Sequence, residues 1–292
     1  MDYFDLHCDT VTEAYSRQLD LTSEKLSVNI KNTEKINKYT QCFALWLNDD
    51  FHGKAAFEKA SILYDFYQTQ KPLITSNGIR PILTLENAAS IGGDIENIAV
   101  WKERSVAAMT LTWNAENELA CGADVLSGGL TKLGKAVVRQ AQIQNIIIDV
   151  SHLNEDSFCD AVRILHKPFI ASHSCCFSVC PHKRNLKDYQ IKEIISSGGL
   201  IGINFYPAFL GGGNVFEAIY KNICHILKLG GDKNIAFGSD FDGAKMANKL
   251  KDLSCVNRLY TFLLNKGIDA GTLDNIFFNN AENFFNNAFS LS

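Results

Sequence analysis

The stretch Asn145-Ile146-Ile147-Ile148-Asp149-Val150-Ser151-His152 is a short, nearly unbroken apolar run, crossed by one carboxylate and closed by a histidine. A run this short and this apolar suits a strand buried on both faces, as in a parallel sheet covered by helices. Seven more such runs lie on either side of it: Tyr3–Cys8, Gln41–Leu47, Ile79–Leu85, Val106–Thr112, Phe169–Ser172, Leu200–Phe205 and Asn234–Gly238. Helical periodicity fills much of the space between them, most clearly over Ala55–Gln70, Gly134–Ile143, Asp156–Leu165, Asp188–Ser196 and Phe216–Leu229. Strand ends fall roughly 20 to 40 residues apart, about the length of a β-helix-β unit. Eight such units in series predict a (β/α)8 TIM-like barrel, with a doubly wound open sheet as the rival. The Asn/Phe-rich end reads as one more helix, with Phe277, Ala281, Phe284, Phe285 and Ala288 on one face.

Composition agrees with one large domain over 1–292. Hydrophobic residues make up 46% and charged residues 21%, enough apolar material for a sizeable core. The net charge of −4 and scattered Lys and Arg argue against a nucleic-acid partner. No run is long and apolar enough to span a bilayer, and the start Met1-Asp2-Tyr3-Phe4-Asp5 lacks a basic leader. The expectation is a cytoplasmic protein without a membrane anchor, its nine cysteines reduced thiols. A homo-oligomer is compatible with the sequence.

The functional signal lies in where the ionisable residues stand. His7 and Asp9 end the first run, Glu86 the third, His152 the fifth, His173 the sixth and Asp240 the eighth. Barrel active sites sit at the C-terminal ends of strands, so six acid/base or ligand groups from five strands converge on one rim. Side chains alternate along a strand, which sends His7 and Asp9 to the mouth and Cys8 toward the helices. Imidazoles with carboxylates suit Zn²⁺ and, less well, Mn²⁺ or Fe²⁺. Three histidines and two or three carboxylates exceed the needs of one tetrahedral ion, and two ions bridged by a carboxylate is the economical reading.

Each residue has a plainer explanation. His7 and Asp9 could be structural, Glu86 a first-turn acid, His173 a packed core histidine, and Asp240 and Asp242 turn residues. Separate explanations do not account for all of them falling at strand ends. His52, His166 and His182 read as solvated and His225 as a partly buried helix residue. Cys175, Cys176 and Cys180 match no zinc-ribbon spacing and read as packing near His173. Gly211-Gly212-Gly213 lacks a phosphate-loop pattern and reads as a flexible loop over the barrel mouth. Trp113, ending the fourth run, reads as an apolar wall of a substrate pocket, with a hydrophobic plug as the alternative.

Taken together, Asp5-Leu6-His7-Cys8-Asp9-Thr10, Ile148-Asp149-Val150-Ser151-His152, Ser172-His173-Ser174 and Gly238-Ser239-Asp240-Phe241-Asp242-Gly243 resemble the membrane (renal) dipeptidase family of zinc peptidases. Arg184-Asn185, eleven residues after His173, and Asn204-Phe205-Tyr206 complete the likeness, in the family's order from residue 5 to 243. The resemblance implies a (β/α)8 barrel with two Zn²⁺ per chain, one held by His7 and Asp9, the other by His152 and His173, and Glu86 bridging both. It implies that Asp240 transfers protons, that Arg184 binds the substrate's terminal carboxylate and that Tyr206 lines the pocket. It further implies a dipeptide substrate, often with a D-residue at the C-terminal position. The animal enzymes are secreted and lipid-anchored, and they carry a substrate-contacting histidine where this chain has Trp113. Two rival functions share these residues: hydrolysis of N-acyl amino acids, lactones or phosphoesters, and metal or peptide binding without catalysis.

Overall fold

The computed structural model describes residues 1–33 and 36–290. Within them the apolar runs pair in chain order, each parallel to the next: β1 (Tyr3–Cys8), β2 (Tyr39–Trp46), β3 (Ile79–Glu86), β4 (Val106–Thr110), β5 (Ile147–Asp149), β6 (Ile170–Ala171), β7 (Leu200–Ile203) and β8 (Ile235–Phe237). The β8 strand returns to β1 through Asp5↔Phe237, so the sheet closes into a barrel. An open doubly wound sheet is thereby excluded. The β2 and β3 strands pair over their whole length, whereas β5 meets β6 through the single pair Asp149↔Ile170.

Two apolar layers explain why these strands carry few polar positions. Inside the barrel, Phe4, Leu6, Cys42, Ala108, Ile147, Ile170, Leu200 and Ala236 meet one another. Outside, Tyr3, Phe43, Leu85, Ile148 and Phe237 pack beneath the helices. Those helices include α1 (Thr10–Arg17), α2 (Gly53–Ser76), α3 (Asn97–Glu103), α4 (Lys132–Ile143), α5 (Glu155–Val162) and α6 (Asp188–Ser196). They continue with α7 (Pro207–Leu210), α8 (Val215–Lys228), α9 (Cys255–Asn265), α10 (Ala270–Asp274) and α11 (Asn280–Ser290). The α2 helix passes the Gln70 end expected from its periodicity and runs through Pro72, at the cost of one backbone hydrogen bond.

The chain's last helix closes the barrel floor. Phe278, Ala281 and Phe285 join the interior cluster, and Phe285 stacks on Phe4 with centroids 5.2 Å apart. Of the face expected for this helix, Ala281 and Phe285 lie in the interior cluster and Phe284 and Ala288 pack against it, whereas Phe277 does not. Asn275–Asn279 is a π-turn, whose extra residue rotates the rest of the helix about its axis. Phe278 therefore takes the inward place, while Phe277 packs outside against Phe237 and Tyr260.

A bulge in β1 builds the other end. Two residues lie between Asp5 and Cys8, whereas only one lies between their partners Gln41 and Phe43. The extra residue breaks the alternation. Leu6 joins the interior cluster and His7, the next residue, joins the site at the mouth. Gly211, Gly212 and Gly213 all take positive φ and lead from α7 into α8.

Candidate metal centre

The polar strand ends meet at the mouth. His7 Nε2 lies 3.2 Å from Glu86 Oε2, 3.5 Å from Asp9 Oδ2 and 3.9 Å from Asp240 Oδ1. On the far side of the same carboxylate, Glu86 Oε1 lies 2.8 Å from His152 Nε2 and 3.6 Å from His173 Nε2. Glu86 thus turns one oxygen to each half of the cluster. The two remaining imidazole nitrogens on that far side are engaged elsewhere: His152 Nδ1 donates to Asn114 Oδ1 at 2.9 Å, and His173 Nδ1 pairs with Ser172 Oγ at 2.7 Å. Both rings are thereby turned with Nε2 inward, the usual work of partners behind metal-binding histidines.

These residues fit divalent ions. His7 Nε2, Asp9 Oδ1 and Glu86 Oε2 are buried without a hydrogen-bond partner, which is unusual for buried polar atoms. Ligand atoms of His7, Glu86 and His173 lie within 4.8 Å of one another, as do those of His7, Asp9 and Asp240. Gly243 keeps the space open, since a Cβ there would stand 2.0 Å from Asp9 Oδ2 and 2.7 Å from Asp240 Oδ1.

Electrostatics sort the groups. Burial holds His152 and His173 well below the ordinary histidine range, helped by Arg184 and His7. Both are therefore neutral donors. Burial also opposes charge on His7, but Glu86 and Asp9 outweigh it and raise its pKa well above the ordinary value. Burial lifts Asp9 to about 6, with Glu86 adding to the rise, and lifts Asp240 to about 6, with Asp9 adding.

Two buried carboxylates, neither of them singled out by the sequence pattern, hold the rim together. Asp5 Oδ1 accepts from the backbone N–H of His7 (3.2 Å) and of Ser239 (2.9 Å), the residue before Asp240. Asp149 Oδ1 accepts from Ser151 (2.9 Å) and Ser172 (3.0 Å), the residues before His152 and His173. Each carboxylate pins two strand ends at the point where they turn into the site. His152 and Asp240 themselves take φ of 71° and 63°. Non-glycine residues in that left-handed region carry strain, on the order of 1–3 kcal/mol each, and they collect at functional sites. Asn204, fully buried, donates to Asp240 Oδ2 at 3.0 Å and leaves Oδ1 toward His7.

A cavity of about 610 Å³ opens above this cluster, lined by Asp9, Glu86, His152, Arg184, Tyr206 and Asp240 among others. Arg184 is 6% exposed, yet its Nε and Nη2 have no partner. Trp113 lines the same cavity, half-buried, 6.3 Å from the His152 ring and edge-on to Trp46 at 5.1 Å. It lies beyond the end of β4 in a loop. Two expectations change. His182 is not solvated: it is half-buried, lines this cavity and packs on Phe209 at 4.7 Å. The three glycines at 211–213 are not among the lining residues. His225 pairs with Asp188 at 2.7 Å, and Cys175 and Cys176 are buried in the core. A second cavity of about 460 Å³, at the barrel floor beside Phe284, has no histidine, cysteine or carboxylate in its wall.

A profile of the membrane dipeptidase family, peptidase family M19, matches residues 1–288. An uncharacterized protein from the pqqA 5′ region of Klebsiella pneumoniae is 30% identical over 209 residues, covering 67% of this chain and 77% of its own length. Dipeptidase aclJ of Aspergillus oryzae is 27% identical over 222 residues, 73% of this chain, and the match spans only 51% of that protein. Among solved structures, the fold matches a metallopeptidase of Rhodobacter sphaeroides, liganded with a phosphinate mimic of L-Ala-D-Ala, at a TM-score of 0.89 and 19% identity. That match covers 98% of this chain and 99% of the other. A dipeptidase of family M19 gives 0.91 and 20%, covering 99% and 98%. Among the described residues no helix is long and apolar enough to cross a membrane. With the matched profile running from end to end of the closed barrel and its rim of ligand atoms, the chain belongs to the membrane dipeptidase family of metallopeptidases.

Proposed function

We propose that the protein hydrolyses dipeptides with a free C-terminal carboxylate, using two Zn²⁺ ions held at the barrel mouth. The observation that carries this reading is a pair of unmet needs in one cavity: buried ligand atoms with no partner on His7, Asp9 and Glu86, and beside them a buried guanidinium with two unpaired donors. His7 and Asp9 would hold one ion and His152 and His173 the other, with Glu86, which turns one oxygen to each half of the cluster, available to both. When bound, such ions would lower the pKa of water and polarise the peptide carbonyl.

The chain's own groups do the rest. Asp240 Oδ1 accepts the proton of the attacking water and delivers it to the leaving amine. Its pKa of about 6 lies close to neutral, where a group both takes and returns a proton readily. Asn204 keeps the other oxygen occupied, so the transfer runs through Oδ1. Arg184 grips the substrate carboxylate with the donors left unpaired on its planar fork. Trp113 and Trp46 form an apolar wall of the cavity, and Tyr206, packed on Phe209, lines it from another strand end. Tryptophan offers one N–H donor and no proton acceptor, so the Trp113 position contributes packing and no acid/base step.

The test is metal analysis of purified protein together with a substrate panel of L,L- and L,D-dipeptides, their C-terminal amides, N-acyl amino acids, lactones and phosphoesters. Two ions per chain, with turnover of dipeptides far above their amides, is the expected result. Turnover confined to N-acyl amino acids, lactones or phosphoesters would replace this reading with the broader amidohydrolase one. Bound metal without turnover of any panel member would replace it with a binding protein.

A further inference from the structure

The loop between β6 and α6 delivers Arg184 into the cavity, and the fold gives that loop a brace of its own. His182 Nδ1 accepts the backbone N–H of Arg184 at 3.1 Å, two residues on. The imidazole rests on Phe209, ring centroids 4.7 Å apart. The Arg184 guanidinium lies over the same phenyl ring, 5.4 Å from its centre. Phe209 is fixed in turn: Asn185, the next residue in the loop, donates to its carbonyl oxygen at 2.8 Å and to that of Cys180 at 2.9 Å. Asn185 and His182 therefore hold Arg184 from both sides, through one aromatic ring.

We propose that His182 is a positioning residue for substrate binding: its neutral Nδ1 captures the Arg184 N–H and so presents the guanidinium to a substrate carboxylate. The inference rests on the reading of Arg184 as the carboxylate grip. A neutral imidazole is required, because a protonated ring has no acceptor. The surroundings supply it. Partial burial, then Arg184 and Lys183, hold the His182 pKa below the ordinary value, with Asp124 the opposing charge. Asp124 is itself engaged by Lys183 at 2.6 Å. An arginine has several rotatable bonds, and a free loop would spread its fork over many positions. Fixing the backbone at Arg184 reduces the ordering left to the moment of binding. The effect belongs to substrate affinity, since His182 has no contact with the groups that move protons.

Three variants separate the acceptor from the ring. His182→Asn places a carbonyl oxygen where Nδ1 stands and keeps the acceptor without the ring. His182→Phe keeps a ring on Phe209 without the acceptor, and His182→Ala removes both. Loss of one such hydrogen bond corresponds to roughly a tenfold change in binding. We expect KM for a free-carboxylate dipeptide to rise about that much in His182→Ala and His182→Phe, with kcat changed less than about threefold. His182→Asn restores most of the lost affinity. A wild-type KM in His182→Ala, or an equal defect in His182→Asn, overturns the proposal, as does a fall in kcat at unchanged KM. Calorimetric titration of the metal-loaded protein with alanine and with alaninamide reads the same grip without turnover. The difference between the two ligands should shrink in His182→Ala and return in His182→Asn. If the wild-type protein turns over no dipeptide, the function proposed above fails while this titration still decides the role of His182.

Discussion

In the protein alone, Glu86 and Asp9 outweigh the burial that opposes charge on His7 and favour its protonated form. A divalent ion that takes Nε2 must displace that proton. Affinity for Zn²⁺, measured by chelator competition, should therefore fall about tenfold for each pH unit below the raised pKa. The fall should steepen below pH 6, where Asp9 also binds a proton in the free site. An affinity independent of pH between about 5.5 and 7.5 would show that His7 is no ligand. Asp240 makes the complementary case. Asp240→Asn keeps the hydrogen-bonding shape and loses the proton, so metal content should persist while kcat falls roughly 10²- to 10⁴-fold. Loss of metal in that variant would make Asp240 a ligand, and near-native kcat would make it structural. All the candidate ligand residues are readable from the sequence, because each alone has a plainer explanation but together they close five apolar runs at one rim. His182 is not readable in that way: its role comes from a contact with Phe209 in α7, and no periodicity in 180–185 announces that contact.

At the scale of elements, the strands are legible and the struts between them are not. Continuous apolar runs identify all eight strands, even β6, which is two residues long. Asp5 and Asp149 interrupt those runs and look like blemishes in a strand. Their meaning appears only when neighbouring strand ends come within reach of one oxygen. This predicts an asymmetry between substitutions. Asp149→Asn retains an oxygen that can accept both N–H groups and should cost little. Asp149→Leu leaves two buried donors unmet, at about 1–3 kcal/mol each, and should loosen His152 and His173 together. Thermal unfolding and Zn²⁺ affinity measured on both variants check this. Equal behaviour of the two would show that the carboxylate is no strut. The π-turn at 275–279 escapes for a different reason: a helical wheel assumes a constant repeat, and one inserted residue rotates everything beyond it.

In the whole molecule, the barrel keeps chemistry and stability at opposite ends. The mouth holds strained backbone, unpaired ligand atoms and buried charge, whereas the floor is an aromatic seal made by Phe4, Phe278 and Phe285. Phe285→Ala should cost about 3–5 kcal/mol and lower the melting temperature, with KM and kcat unchanged at temperatures where the variant stays folded. A shift in KM would mean that the floor and the mouth communicate. The seal has a further consequence, in the order of synthesis. Phe4 and Leu6 leave the ribosome well before the residues that cover them from below, which come after all eight strands. At about 5–20 residues per second, that gap lasts on the order of tens of seconds. For most of it the walls are still being made, and once β8 has emerged the barrel lacks only the floor residues Phe278, Ala281 and Phe285 to cover its apolar interior.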